Sequence, residues 1–189
     1  MQLVSLSEIK TIADYEIERA TFRPVAMAAK DRRRVRVGDH LTFLFENRLT
    51  VRYQIQEMMR IERLSKLEEI KHEVETYNEL IPGVDQLSAC LLIEYETPEL
   101  RDVWLRELLG LEHHIWVEVP GFGRAKAVFD DRQIASDRIS SVQYIKFQLT
   151  PEQAAAFPQG ASIVVDHPKY SFVQPLTPAQ LEELSADLR

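Results

Sequence analysis

Cysteine is nearly absent from this chain. Cys90 is the only one in 189 residues, so no internal disulfide can form, and no cysteine cluster is available for zinc or an iron–sulfur centre. Cys90 sits in the apolar run SACLLIEY, where a small buried hydrophobe is the expected role rather than a nucleophile. Glycine is scarce too, at six residues. None of them forms a dinucleotide fingerprint or a phosphate loop; Gly121 and Gly123 sit in a Pro120-Gly-Phe-Gly turn with no Gly-Lys-Ser/Thr helix behind it. An HExxH helix and a GxSxG elbow are also missing. No apolar run approaches the length of a membrane span. The first ten residues, MQLVSLSEIK, lack the basic start and apolar core of a secretory signal, so the reading is of a cytoplasmic protein.

An apolar fraction of 45% and a charged fraction of 28% are ordinary for a globular protein. The length suits one domain or two small ones, and a chain of this size buries about 70% of its unfolded surface without staples. The net charge of −7 is uneven. Residues 1–71 carry 14 basic and 11 acidic side chains, and residues 72–189 carry 9 and 19. A positive end on a mostly negative body follows.

The pattern is organised around residues 38–80. Leu41, Phe43 and Phe45 alternate as in a strand with one buried face. From Arg48 the period becomes helical: Val51, Ile55 and Met58 form one stripe, leading to Glu62, and Tyr53, Glu57, Ile61 and Leu64 form another. Glu57 interrupts an apolar stripe, so it is expected to be at least partly buried and paired with an arginine: Arg48, Arg52 or one of the Arg32–Arg36 run. A second helix carries Leu67, Ile70, Val74, Tyr77 and Ile81 on one face and Glu68, His72, Glu75 and Glu79 on another. That acidic face reads as solvated. Carboxylates and a histidine at this spacing can also ligate a metal when a second helix adds more, but the chain has a single Glu-x-x-His pair, Glu69 and His72, where a carboxylate-bridged iron site needs two.

Ser5 and Glu8 fit a capping box opening a helix, with a second helical segment over 14–22 and a third begun by Pro24 and ended by Lys30 to Arg34. A hairpin is expected over 35–46 about Gly38-Asp39. After Pro82-Gly83 come strands near 89–95, 115–119, 124–129, 142–149, 163–165 and 170–173. Thr97-Pro98, Thr150-Pro151 and Thr177-Pro178 each open a helix. Hairpin-length links between strands argue for an antiparallel sheet. The fold class is α+β: a helix-rich N-terminal part packed with a mainly antiparallel sheet. It is read as a single domain over 1–189, with a possible subdivision into 1–83 and 84–189.

The five histidines, His40, His72, His113, His114 and His167, are dispersed except for the adjacent pair, whose side chains on a strand would point to opposite faces. Arg32, Arg33, Arg34 and Arg36 form the sharpest electrostatic feature; a salt-bridge or protein-contact role is favoured there over phosphate or RNA, because the chain is acidic and the run lacks interleaved aromatics.

His40-Leu41-Thr42, Leu44-Phe45-Glu46-Asn47-Arg48, Thr50-Val51, Tyr53 to Met58 and Arg60 together resemble the signature of a bacterial family, domain of unknown function three-five-zero-one. The likeness extends over Tyr77-Asn78, Leu80 to Gly83, the strand from Ser141 to Thr150 and Asp166-His167-Pro168. The resemblance implies a redox or oxidative-stress setting, since members are encoded beside rubrerythrin-like and iron–sulfur oxidoreductase proteins. It carries no catalytic residues. The favoured reading is a non-catalytic accessory protein of such a system, with those proteins as candidate partners and self-association left open. A membrane surface and nucleic acid are not expected partners. The alternative is an enzyme or binding protein for iron or manganese, using His40, Glu46, Glu57, Glu62 and His72. A third reading takes an anion or RNA on Arg32, Arg33, Arg34, Arg36, Arg48 and Arg52.

Overall fold

A computed structural model describes residues 2–188, apart from the side chain of Asp131. The chain starts with a single 3-10 turn at Leu6–Glu8, closed by Glu8 Oε2 accepting from Ser5 N at 2.8 Å. The expected first helix therefore stops after one turn. Val4 is pinned instead to Asn78, whose side chain exchanges two 2.9 Å hydrogen bonds with the Val4 backbone. A fresh cap at Thr11 then opens α1 (Ile12–Arg32). This one helix of 21 residues replaces the two segments expected on either side of Pro24, which lies inside it on an exposed face.

β1 (Arg34–Val37) and β2 (Leu41–Glu46) form the expected hairpin. α2 (Arg48–Glu62) and α3 (Leu67–Asn78) follow, and then β3 (Gln86–Ile93), α4 (Pro98–Glu107), β4 (Ile115–Val119), β5 (Gly123–Phe129), β6 (Val142–Gln148), α5 (Pro151–Ala156), β7 (Ser162–His167), β8 (Tyr170–Pro175) and α6 (Pro178–Ser185). Each Thr-Pro pair does open its helix, with the threonine side chain accepting from the backbone N–H three residues on. The fold is α+β, and every strand pairing is antiparallel.

The eight strands run in the order β1-β2-β3-β6-β5-β4-β7-β8. β2 pairs with β3 from Leu41↔Ile93 to Glu46↔Ser88, so the sheet runs continuously across the Pro82-Gly83 break. It curls until its edge strands meet in a nearly closed barrel. No ladder joins β1 to β8 among the described residues; the seam is made by Tyr170, whose hydroxyl donates to Val37 O at 2.6 Å and accepts from His40 N at 3.0 Å. Phe43, Phe45, Leu87, Leu91, Val117, Ile145, Phe147 and Ile163 point inward and fill the barrel. Leu105 of α4, Leu108 just past its end, and Leu181 and Leu184 of α6 belong to the same core.

A second apolar cluster lies outside the barrel. Val51, Ile55 and Met59 of α2 meet Val74, Leu80 and Ile81 there, with Leu6 and Ile9 packed alongside. α1 packs on α2 through Tyr15, Phe22 and Tyr53, whose rings meet edge to face. Two expected stripes end early. Ile61 and Leu67 are 64% and 62% exposed. The α1-facing row of α2 continues by three residues from Glu57 to Arg60, which reaches Glu16, and so misses Ile61. No described helix is long and apolar enough to cross a membrane.

Candidate functional site

Because β-strand side chains alternate, the residues between the inward phenylalanines of β2 face out of the barrel. Thr42, Leu44 and Glu46 are those residues, and the register aligns them with Leu92, Cys90 and Ser88 of β3 and then with Val142, Tyr144 and Lys146 of β6. Helices α2 and α3 and the end of α1 stand over this outer face without covering it completely. Two adjacent hollows remain, with Tyr77, Leu80 and Tyr144 in the lining of both. The inner one is a chamber of about 170 Å³ floored by Leu44, Glu46 and Cys90. The outer one is a cleft of about 690 Å³ between α3 and strands β5 and β6, with Met58, Leu80, Val128 and Phe129 in its apolar wall and Glu79, Asp130, Arg132 and Lys146 among its polar groups.

The chamber is chemically unusual because it holds a carboxylate that forms no ion pair among the described residues. Glu46 is 6% exposed, and its Oε2 is buried with no hydrogen-bond partner among the described residues. Burial, reinforced by the adjacent Glu46 carboxylate, pushes the Cys90 thiol far above its ordinary range. Burial likewise raises Tyr144 and Tyr77, so both phenols are neutral donors. The Lys30 ammonium reaches Gln54 Oε1 at 3.3 Å and lies 5.6 Å from the centre of the Tyr53 ring. At the rim of the cleft, Arg132 clasps Asp130 with hydrogen bonds of 2.7 and 2.8 Å and extends to Glu79 at 2.8 Å. Those hydrogen bonds hold the Asp130 carboxyl below its usual range.

The residues predicted from sequence lie in several places. Glu46 alone of the metal candidates is in the chamber. His40 is in the β1–β2 turn at one end of the barrel, stacked on Tyr95 with ring centres 4.0 Å apart. Glu62 and His72 are exposed, as are Glu68, Glu75 and Glu79, so the acidic face of α3 is solvated. Among the described residues no three His, Cys, Asp or Glu side chains gather into a metal-binding group. Glu57 is paired with an arginine, as its position in the stripe predicts, but the partner is Arg19 of α1. Arg19 Nε and Nη2 donate to its two oxygens at 2.7 and 3.2 Å, and the Tyr15 hydroxyl adds a 2.8 Å bond. Arg48 bonds Glu8 and Arg52 bonds Glu18. Sequence distance hid Arg19, which comes within reach only once α1 packs against α2.

The arginine run is built into the fold. Arg33 is 2% exposed and donates to Asp187 at 2.6 and 3.0 Å and to Glu183 at 2.9 Å. Arg32 bonds Glu183 from outside at 2.8 Å. Arg33 is therefore not displayed to an anion, and the salt-bridge reading holds for these two. Arg34 is half-buried and Arg36 is exposed.

Comparison with known proteins adds a relationship. The model of a family described as "Protein of unknown function (DUF3501)" matches residues 3–188. The chain belongs to the DUF3501 family. A solved structure, described as a novel protein of unknown function from Burkholderia pseudomallei, is 30% identical, covers 100% of both chains and superposes with a TM-score of 0.92. Among the curated proteins nothing matches.

In this DUF3501 protein the lining residues that sequence reasoning did not assign to a site are Lys30, Gln54, Tyr77, Ser88, Cys90, Tyr144 and Lys146. A signal for some was present: Ser88, Tyr144 and Lys146 are the polar or amphipathic positions of otherwise apolar, alternating strands. Their convergence with Glu46 is a matter of register between β2, β3 and β6, which no local pattern specifies.

Proposed function

We propose that this DUF3501 protein is a ligand-binding protein whose site is the cleft and chamber on the outer face of the barrel. One observation carries the reading: an apolar hollow of about 690 Å³ lies beside a chamber, across the shared residues Tyr77, Leu80 and Tyr144, that holds a carboxylate oxygen buried without a hydrogen-bond partner among the described residues. Clefts of this size, mostly apolar with a few convergent polar groups, are where small molecules bind. The lining supplies donors, an acceptor and aromatic walls rather than an activated nucleophile, because its thiol is held in the neutral form. An elongated molecule with an apolar body and a polar head matches the arrangement.

A fragment screen followed by residue-resolved NMR tests this. Binders are expected to perturb Leu80, Phe129, Tyr144 and Ile145. Val128, 64% exposed on the cleft wall, can be enlarged without touching the barrel core. Val128→Trp is expected to abolish those perturbations while changing stability by no more than about 0.5 kcal/mol. Binders that map elsewhere, or survive Val128→Trp unaltered, would sink the reading. The expectation of a redox accessory partnered with rubrerythrin-like or iron–sulfur proteins rests on the family resemblance, and the site geometry adds nothing to it.

A further inference from the structure

We infer that the chamber takes the protonated amine of an alkylamine-type ligand, with Glu46 as its acceptor. This rests on the cleft being a ligand site and specifies the head group. Glu46 lies on the outward face of the barrel at the last residue of β2, 6% exposed, and forms no ion pair among the described residues. Its register partner on β3 is Ser88; the diagonal neighbour that shares the chamber floor is Cys90, whose thiol is a weak donor to the carboxylate. Oε2 therefore lacks the donor that a buried carboxylate oxygen requires. Lys30, the cation of the chamber lining, is engaged by Gln54 and lies against Tyr53 at the α1–α2 seam. The missing donor is then a ligand's. An ammonium satisfies a carboxylate by charge as well as by hydrogen bond, and the Tyr77 and Tyr144 rings that divide chamber from cleft offer faces favourable to a cation. Behind the head, Met58, Leu80, Val128 and Phe129 give an apolar track for an alkyl chain.

Hexylamine and hexan-1-ol, nearly equal in shape and different in charge, are the probes. Calorimetric titration of the full chain near neutral pH is expected to show one site binding hexylamine at least roughly ten-fold more tightly than the alcohol, the value of one good charged hydrogen bond. Chemical-shift changes should centre on the Gln54 side-chain amide, Cys90 and Tyr144. Glu46→Gln should erase the difference by weakening the amine alone. Lys30→Met, which removes a like charge, should leave amine binding equal or stronger. If amine and alcohol bind the cleft equally in the unaltered protein, the amine assignment is overturned and the cleft reading stands. If neither binds, both fall. Amine binding that maps away from Glu46, or that persists undiminished in a folded Glu46→Gln protein, also overturns the assignment. The comparison in the unaltered protein decides the matter even where that variant does not fold.

Discussion

At the scale of single residues, Glu57 shows how opposing effects are resolved. Its side chain is 12% exposed. Burial pushes its pKa up, but the hydrogen bonds from Arg19 and Tyr15 and the charges of Arg19 and Arg60 outweigh burial and hold the carboxyl below its ordinary range. A carboxyl depressed in the folded state contributes stability that is complete above its unfolded pKa and is lost as pH falls through the folded one. Replacing it with glutamine leaves two guanidinium groups and a buried hydroxyl poorly satisfied, which should cost about 1–3 kcal/mol near neutral pH. For a chain of this length that lowers the Tm by roughly 2–4 °C per kcal/mol. Glu68→Gln, on the exposed face of α3, should move Tm within noise. The Glu57→Gln deficit should shrink when both proteins are melted at acidic pH. Equal effects from the two substitutions, or a deficit that grows on acidification, would refute this account.

At the scale of elements, α1 is the least expected. A proline inside a helix removes one backbone hydrogen bond and crowds the carbonyl four residues back, so sequence reading breaks the helix there. The structure keeps α1 continuous because its buried residues, Tyr15, Ala26 and Ala29, are distributed along one side of it and hold both halves against α2 and the sheet. Pro24 faces solvent, where water can bond the orphaned carbonyl. Relative to alanine, an interior proline costs up to about 3 kcal/mol. Pro24→Ala is thus expected to stabilise the protein by about 1–3 kcal/mol, read as a higher Tm with unchanged far-UV circular dichroism. A lower Tm would mean that the proline is matched to a bend on which packing depends.

At the scale of the whole molecule, barrel closure depends on one glycine. Gly38 has φ +61°, and a Cβ there would run into the Tyr170 hydroxyl and the Phe172 ring across the β1–β8 seam. Gly121 also has positive φ, at +81°, but nothing lies within 4 Å of its would-be Cβ. Both substitutions to alanine carry a backbone cost of about 1–2 kcal/mol. Gly38→Ala should cost more than Gly121→Ala by a further 1 kcal/mol or so, because it also displaces the Tyr170 bonds to Val37 and His40. Indistinguishable denaturation midpoints for the two variants would show that the seam is not closed by this contact.

The sequence by itself determined most of the elements, since period and punctuation are local. Alternation marked β2, Thr-Pro pairs marked α4, α5 and α6, and strand runs joined by short links marked an antiparallel sheet. It also put Glu57 in a core-facing stripe that demanded a partner. What only the tertiary structure decided is everything that depends on which distant segments meet. Arg19 rather than Arg48 or Arg52 serves Glu57 because α1 lies along α2. Arg33 turns inward because Asp187 and Glu183 of the C-terminal segment arrive beside it. Glu46 shares a chamber with Cys90 and Tyr144 because strand register aligns β2, β3 and β6, and pairing between strands far apart in the chain leaves no mark within any one of them.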